Sequence, residues 1–139
     1  MENDLLTGKT ILIVEDDFSS RLYLNKILEK VNVILLNAVD GQEAVDVAFN
    51  NPDIDIILMD IQLPTLDGFA AMKKIREFRE NIIIIAQTAY GLLGDKEKIL
   101  NSGFTDYIIK PILMQNLIEK LNTNLKLSLK SKSSNSLPK

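Results

Sequence analysis

The chain has 139 residues and contains neither cysteine nor histidine. Without cysteine it has no disulfide, no thiolate metal site and no cysteine nucleophile. Without histidine it lacks the usual acid–base group of neutral pH and the commonest nitrogen metal ligand, and it cannot assemble a Ser-His-Asp triad alone. Any chemistry must therefore use carboxylates, lysine, hydroxyl groups or the backbone.

Long apolar runs and an excess of positive charge are also absent. The longest aliphatic run, Ile82–Ala86, is far shorter than the roughly 20 residues that span a bilayer. Residues 1–7 are acidic where a secretory signal would be basic. The net charge of −3 argues against nucleic acid or an anionic membrane as a direct partner. We therefore expect a cytoplasmic protein that binds neither nucleic acid nor membrane.

Short apolar runs alternate with amphipathic stretches along a chain whose length suits one domain. The runs predicted as strands are Thr10–Val14, Val33–Leu36, Ile54–Met59, Ile82–Ala86 and Tyr107–Ile109. The stretches predicted as helices are Ser19–Lys30, Glu43–Phe49 after a capping Asp40, Phe69–Arg76, Lys96–Asn101 before Gly103, and Met114–Leu125. Such alternation predicts an α/β fold, with parallel strands and helices on both faces of the sheet.

The composition also suggests where the domain ends. Residues from 128 onward are mainly Ser, Lys and Asn, with Pro138 near the end, so we predict a disordered tail over 128–139. We place the domain at 8–127 and treat residues 1–7 as an N-terminal extension.

Polar residues follow the predicted strands at their carboxyl ends, where open α/β sheets bind ligands. Glu15 and Asp16 follow the first strand, Asp60 the third, Thr88 the fourth and Lys110 the fifth. If the first and third strands are neighbours, the three carboxylates crowd together and repel one another, and a hard divalent cation such as Mg²⁺ relieves that repulsion. Lys110 adds positive charge, and the Thr88 hydroxyl can hydrogen-bond an anion.

These groups suit phosphoryl transfer, which depends on positioning and on electrostatic stabilisation, with a carboxylate as nucleophile. Each residue has a simpler interpretation when taken alone. Asp17 is predicted to be only a helix N-cap, Glu15 and Asp16 are equally caps or metal ligands, and Asp60 can be a turn residue. The joint pattern favours a site with Asp60 as the nucleophile.

Four segments resemble the receiver domains of response regulators. They are Ile11–Asp17 with Arg21, Leu58–Gly68, Ile85–Ala89 and Asp106–Pro111, in the family's order and spacing, and the resemblance covers Lys9–Leu127. It implies a doubly wound, five-stranded parallel sheet with the flavodoxin-like strand order 2-1-3-4-5. The phrasing around Gly8–Thr10 and Ala86–Tyr90 is similar to receiver modules of hybrid histidine kinases.

The resemblance also implies residue roles. Asp60 is expected to be the phosphoacceptor, Asp16 the direct Mg²⁺ ligand, Glu15 a ligand largely through water, and Gln62 a ligand through its backbone carbonyl. Lys110 and Thr88 are expected to contact the phosphoryl group, Thr88 and Tyr107 to switch conformation, and Gln62 and Tyr90 to tune dephosphorylation. The Lys110–Pro111 peptide is expected to be cis.

The implied function is phosphorelay signalling. A histidine kinase or histidine phosphotransfer domain donates the phosphoryl group, and the phosphorylated receiver signals to a partner; it is no enzyme beyond its own phosphorylation and dephosphorylation. Two alternatives stay open: a degenerate receiver that acts only as an interaction module, and an aspartate-dependent phosphatase, whose second acid is here replaced by Gln62. A phosphorylation-linked dimer through the fourth and fifth helices is also open.

Overall fold

The computed structural model describes residues 4–89 and 93–136. Five parallel strands form one sheet: β1 (Thr10–Val14), β2 (Ile34–Ala38), β3 (Ile56–Asp60), β4 (Ile83–Thr88) and β5 (Asp106–Ile109). The helices are α1 (Phe18–Leu28), α2 (Gly41–Asn50), α3 (Gly68–Arg76), α4 (Leu93–Ser102) and α5 (Met114–Ser136). The strand order β2-β1-β3-β4-β5 confirms the predicted doubly wound α/β fold.

Three helices begin at an aspartate cap. The carboxylate of Asp17 accepts from the Ser20 amide at 2.8 Å, as predicted for α1. The Asp40 carboxylate accepts from the Glu43 amide at 2.7 Å and caps the start of α2, also as predicted. Asp67 caps α3. Since such caps satisfy amides that have no partner inside the helix, they fix where each helix starts.

The core lies in two layers, one on each face of the sheet. Leu12 and Val14 of β1 point to the layer covered by α2, α3 and α4, whereas Ile11 and Ile13 point to the layer covered by α1 and α5. Strands β1 and β3 are buried along their whole length, which is why they read as continuous apolar runs. Among the buried polar side chains, Glu15, Asp60 and Gln87 lie at or near the carboxyl ends of the strands.

Helix α5 is longer than we predicted, and the predicted disorder over 128–139 is wrong for its described part. The helix continues to Ser136, and residues 137–139 lie outside the described part of the chain. No glycine or proline interrupts it before Pro138, so each added residue extends the helix by one backbone hydrogen bond. A polar composition alone therefore did not mark its end.

The N-terminal segment joins the folded core instead of standing apart from it. Leu6, in a 3₁₀ turn over Asp4–Leu6, is 1% exposed and packs with the α1/α5 layer. The folded unit therefore begins before residue 8, where we placed its boundary. A single apolar residue has no periodicity, so the sequence pattern did not reveal it.

Arg76, the last residue of α3, hydrogen-bonds to the segments that precede β4 and β5. Its guanidinium donates to the carbonyls of Gly103, Glu80 and Ile82 and to the Thr105 hydroxyl. Gly103 has a φ of 126° and ends α4 in the conformation that glycine tolerates, as its position predicted. The Arg76 side chain thus links the segment before β4 to the segment before β5, at the end of the sheet opposite Asp60.

Within the described ranges, every helix is too short or too polar to cross a membrane.

Candidate functional site

The three predicted carboxylates meet at the carboxyl edge of the sheet. Glu15, Asp16 and Asp60 each direct a carboxylate oxygen to a place where these oxygens lie within 4.8 Å of one another. Glu15 and Asp60 are buried, whereas Asp16 is exposed. Adjacent strands β1 and β3 bring them together, with Val14 and Met59 opposite each other just before the cluster. The sequence prediction of this cluster is confirmed.

Lys110 lies between the two buried carboxylates. Its Nζ is 2.8 Å from Asp60 Oδ2 and 3.3 Å from Glu15 Oε1. The Lys110 amide donates to the Thr88 carbonyl, which fixes the chain just after β5 beside the end of β4. The Lys110–Pro111 peptide is cis, as expected. The lysine therefore balances part of the negative charge that the strand ends collect.

Burial and charge shift two pKa values in this cluster. Burial raises the pKa of the Glu15 carboxyl, and the nearby charge of Asp60 adds to that effect, against the Asp17 amide and Lys110, which lower it. For Lys110, burial alone would lower the pKa, but the hydrogen bond and charge of Asp60, together with Glu15, raise it overall. The charged form of Lys110 is thus favoured, whereas burial disfavours the charged form of Glu15.

Backbone contacts hold the Asp60 carboxylate in position. The Gln62 amide donates to Asp60 Oδ1 at 3.0 Å, which leaves Oδ2 for Lys110. Gly68 packs directly against the chain here: a Cβ at this position would lie 2.5 Å from the Asp60 carbonyl oxygen. Because only glycine allows that approach, the turn before α3 sets the position of the strand end.

A cleft of about 200 Å³ opens beside Asp60 on the α3/α4 side. Asp60, Gln62, Thr88 and Lys110 line it, so four of the predicted site residues face one space. Lys98 of α4 also lines the cleft, with its ammonium 5.2 Å from the Phe69 ring centroid. We did not predict Lys98, because an exposed helical lysine carries no sequence signal of its own.

Tyr107 lies on β5, half-buried and next to Ala86 of β4. Two ammonium groups flank its ring, Lys96 of α4 at 5.8 Å and Lys120 of α5 at 4.8 Å from the centroid. Lys120 also pairs with Asp106 at 3.0 Å. The Tyr107 ring therefore contacts charged groups from both α4 and α5, at the position where we expected the aromatic switch residue.

Two further residues complete the comparison with the sequence predictions. Tyr90, predicted to tune dephosphorylation, lies outside the described residues. Gln87 was part of a matching segment, but we gave it no role. It is fully buried between Asp60 of β3 and Ile108 of β5.

The carboxylate cluster fits a magnesium ion. Mg²⁺ prefers oxygen ligands, is held by one or two carboxylates, and keeps several waters. Two buried carboxylates and an exposed one supply such oxygens, and the Lys110 ammonium pairs with the two buried ones, Glu15 and Asp60. Asp16, at the open side, is therefore available as a direct ligand.

The family model for the response regulator receiver domain matches residues 11–122. Among curated proteins, a stretch of 123 residues is 39% identical to hybrid signal transduction histidine kinase I of Dictyostelium discoideum, covering 83% of this chain. The chain spans only 7% of that relative's length.

Solved structures agree with this match. A receiver domain from Saccharomyces cerevisiae, crystallised with a histidine phosphotransfer signalling protein, is 35% identical, with a TM-score of 0.77 over 83% of this chain and 87% of that one. The receiver domain of a sensor histidine kinase from Pseudomonas aeruginosa is also 35% identical, with a TM-score of 0.76 over 86% of this chain and 98% of that one. The latter is described with a magnesium ion coordinated in its active site cleft.

Proposed function

The chain belongs to the response regulator receiver domain family of two-component signalling, and from this premise we propose that Asp60 accepts a phosphoryl group from a partner phosphohistidine. One observation carries the proposal. Asp60 is buried beside an acidic pair and 2.8 Å from Lys110, at the wall of a cleft that also exposes Thr88. This arrangement is suited to a carboxylate nucleophile whose product gains negative charge.

Each side chain has a part in the transfer. An Asp60 carboxylate oxygen attacks phosphorus, and the bond from phosphorus to the donor nitrogen breaks, with its electron pair returning to that nitrogen. Lys110 and Thr88 then hold the phosphoryl oxygens from two sides of the cleft. Glu15, Asp16, Asp60 and the Gln62 carbonyl would hold Mg²⁺. The bound ion would neutralise charge that develops on the phosphoryl oxygens.

These 139 residues contain no histidine, so the donor histidine must lie outside them. We propose a histidine kinase or a histidine phosphotransfer domain, the latter being the partner in the yeast structure. Phe18, Leu22 and Leu113 are exposed apolar side chains on α1 and before α5, at the same edge as Asp60. They offer a docking surface from which a phosphohistidine reaches the cleft.

The conformational change would reach a partner on the other side of the cleft, at the face formed by α4, β5 and α5. We propose that Thr88 moves toward the phosphoryl group and that Tyr107 follows, changing the face of α4, β5 and α5 by a population shift. That face then binds a partner, or a second copy in a phosphorylation-linked dimer. We place this cycle in the cytoplasm, either in a separate receiver or in a module of a hybrid kinase, and expect no turnover of external substrates.

The test is intact mass after incubation with Mg²⁺ and acetyl phosphate. We expect wild type to gain one phosphoryl group, the gain to require Mg²⁺, and Asp60→Asn to gain none. A purified phosphohistidine donor serves as a second source, because some receivers accept phosphoryl groups only from protein.

The same experiment separates the alternatives. A folded protein that takes no phosphoryl group from either donor would be a degenerate receiver that acts as an interaction module. Continuous hydrolysis of a phosphate ester, without a stoichiometric mass gain on Asp60, would indicate an aspartate-dependent phosphatase.

A further inference from the structure

Gln87 is a fully buried polar side chain next to the phosphoacceptor. It pairs across the sheet with Asp60, and side chains of directly paired residues in parallel strands point to the same face. It lines the cleft beside Thr88 and also a second cleft, of about 360 Å³, on the α1 side. Lys110 is the other residue besides Gln87 that lines both clefts.

The orientation of the Gln87 amide follows from its neighbours. Its Nε2 donates to the carbonyls of Val14 and Leu58, at 3.4 and 3.5 Å. Because carbonyls can only accept, the nitrogen end must face them and Oε1 must point elsewhere. Oε1 is buried and has no hydrogen-bond partner among the residues that the structure describes. Leaving a buried acceptor unpaired costs about 1–3 kcal/mol, so such a group calls for an explanation.

Lys110 is the donor that fits this acceptor. An ammonium group has three N–H donors, and those of Lys110 contact Glu15 and Asp60. Two contacts leave one N–H for a further acceptor, and Gln87 lines the same two clefts as Lys110. Within the described residues Oε1 has no donor, so a hydrogen bond from Lys110 requires the ammonium to turn.

We propose that Gln87 is a positioning residue for phosphoryl transfer: its Oε1 accepts a hydrogen bond from Lys110 when the ammonium turns from the Asp60 carboxylate to the arriving phosphoryl group. This inference rests on the function proposed above.

The step balances without another reactant. One Asp60 oxygen bonds to phosphorus, the bond to the donor breaks, and the leaving group takes the electron pair. The carboxylate charge is lost on phosphorylation, so Asp60 becomes a weaker acceptor and frees one Lys110 N–H for a phosphoryl oxygen. Glu15 keeps its contact, and Gln87 accepts the remaining N–H. Three acceptors then fix the direction of the ammonium.

The test is Gln87→Met, which keeps the length of the side chain and removes its polar atoms. We expect the free energy of unfolding to rise, because an unpaired buried acceptor is gone. We expect the maximal rate of Asp60 phosphorylation by acetyl phosphate to fall about tenfold, the loss of one hydrogen bond to a charged group. The Mg²⁺ dissociation constant, measured by calorimetry, should stay unchanged, since Gln87 supplies no ligand.

Ile85→Val is the matched control, because Ile85 lies two residues earlier on the same strand and face and is fully buried. It should lower stability and leave the phosphorylation rate as in wild type. A Gln87→Met protein that reacts at the wild-type rate overturns the proposal. So does one that loses stability, rate and Mg²⁺ affinity together, which would show a purely structural role. Wild type that takes no phosphoryl group from any donor overturns the proposed function itself, and the role of Gln87 with it.

Discussion

Glu15 and Asp60 are two buried carboxylates that share a single lysine, at 3.3 and 2.8 Å. Their attraction to Lys110 offsets only part of the cost of removing two negative charges from water. Asp16, by contrast, stays exposed and carries little of this cost. The site is therefore built with excess negative charge, which a divalent cation relieves, and its residues favour binding over stability.

Glu15→Gln tests this at the residue scale in metal-free protein. Because burial raises the folded-state pKa of Glu15, this residue binds more protons in the native than in the unfolded state between about pH 4.5 and that raised pKa. The contribution of Glu15 to wild-type stability therefore falls as pH rises through that range. We expect Glu15→Gln to be more stable than wild type at pH 7 in EDTA, with a shallower pH dependence, and to bind Mg²⁺ about 10- to 100-fold more weakly.

Urea unfolding at several pH values and calorimetric Mg²⁺ titration check both expectations. Glu97→Gln, a change at an exposed carboxylate on α4, is the control and should leave both properties unchanged. A Glu15→Gln protein that is less stable than wild type at pH 7 would contradict the argument.

At the scale of elements, the turn into α3 sets the position of the end of β3, where Asp60 lies. Asp67 caps the helix, and Gly68 lies against the Asp60 carbonyl with no room for a side chain. The sequence predicted this turn well, since an aspartate followed by glycine is a strong local signal. It predicted the end of α5 poorly, because residues 126–130 are mostly exposed and give no apolar stripe, and no proline before Pro138 stops the helix.

Gly68→Ala should therefore damage both stability and chemistry. Its Cβ would meet the main chain of Asp60 at 2.5 Å and that of Ile61 at 2.7 Å, so the backbone must shift. We expect a loss of about 1–3 kcal/mol in unfolding free energy, together with slower phosphorylation of Asp60 in the mass assay.

Gly8→Ala is the comparison for Gly68→Ala, because it tests the effect of backbone strain alone, without displacement of Asp60. Gly8 has a φ of 81°, but a Cβ there meets nothing within 4 Å. That variant should lose about 1–2 kcal/mol from backbone strain and keep the wild-type phosphorylation rate. Equal rates in both variants would refute the idea that the Gly68 turn positions Asp60.

For the whole molecule, the sheet separates two apolar layers, and polar groups of the site enter only at its carboxyl edge. The fold and most of the site were predictable because the short apolar runs, the helical stripes between them and the strand-end residues are local signals. Leu6 and Gln87 were not, because the burial of each depends on neighbours distant in sequence. Leu6 packs beside α5, and Gln87 lies between β3 and β5.

Leu6→Ala tests how far the folded unit extends. Leu6 is buried in the α1/α5 layer, so its truncation should cost about 2–5 kcal/mol in unfolding free energy. Leu127→Ala, an exposed site on α5, is the comparison and should change stability by less than about 0.5 kcal/mol. If the two variants unfold alike in urea, residues 4–6 do not belong to the cooperative unit.

The contacts of Arg76 also limit how the molecule can move. They fix Gly103 and Thr105, which connect α4 to β5, at the end of the sheet farthest from Asp60. A rigid element that is held at one end can rotate only about that end. If the proposed shift begins at Thr88, we therefore expect it to be largest near the cleft and to vanish toward Gly103. The outer surface of α4 and β5 would then tilt, while their far ends stay in place.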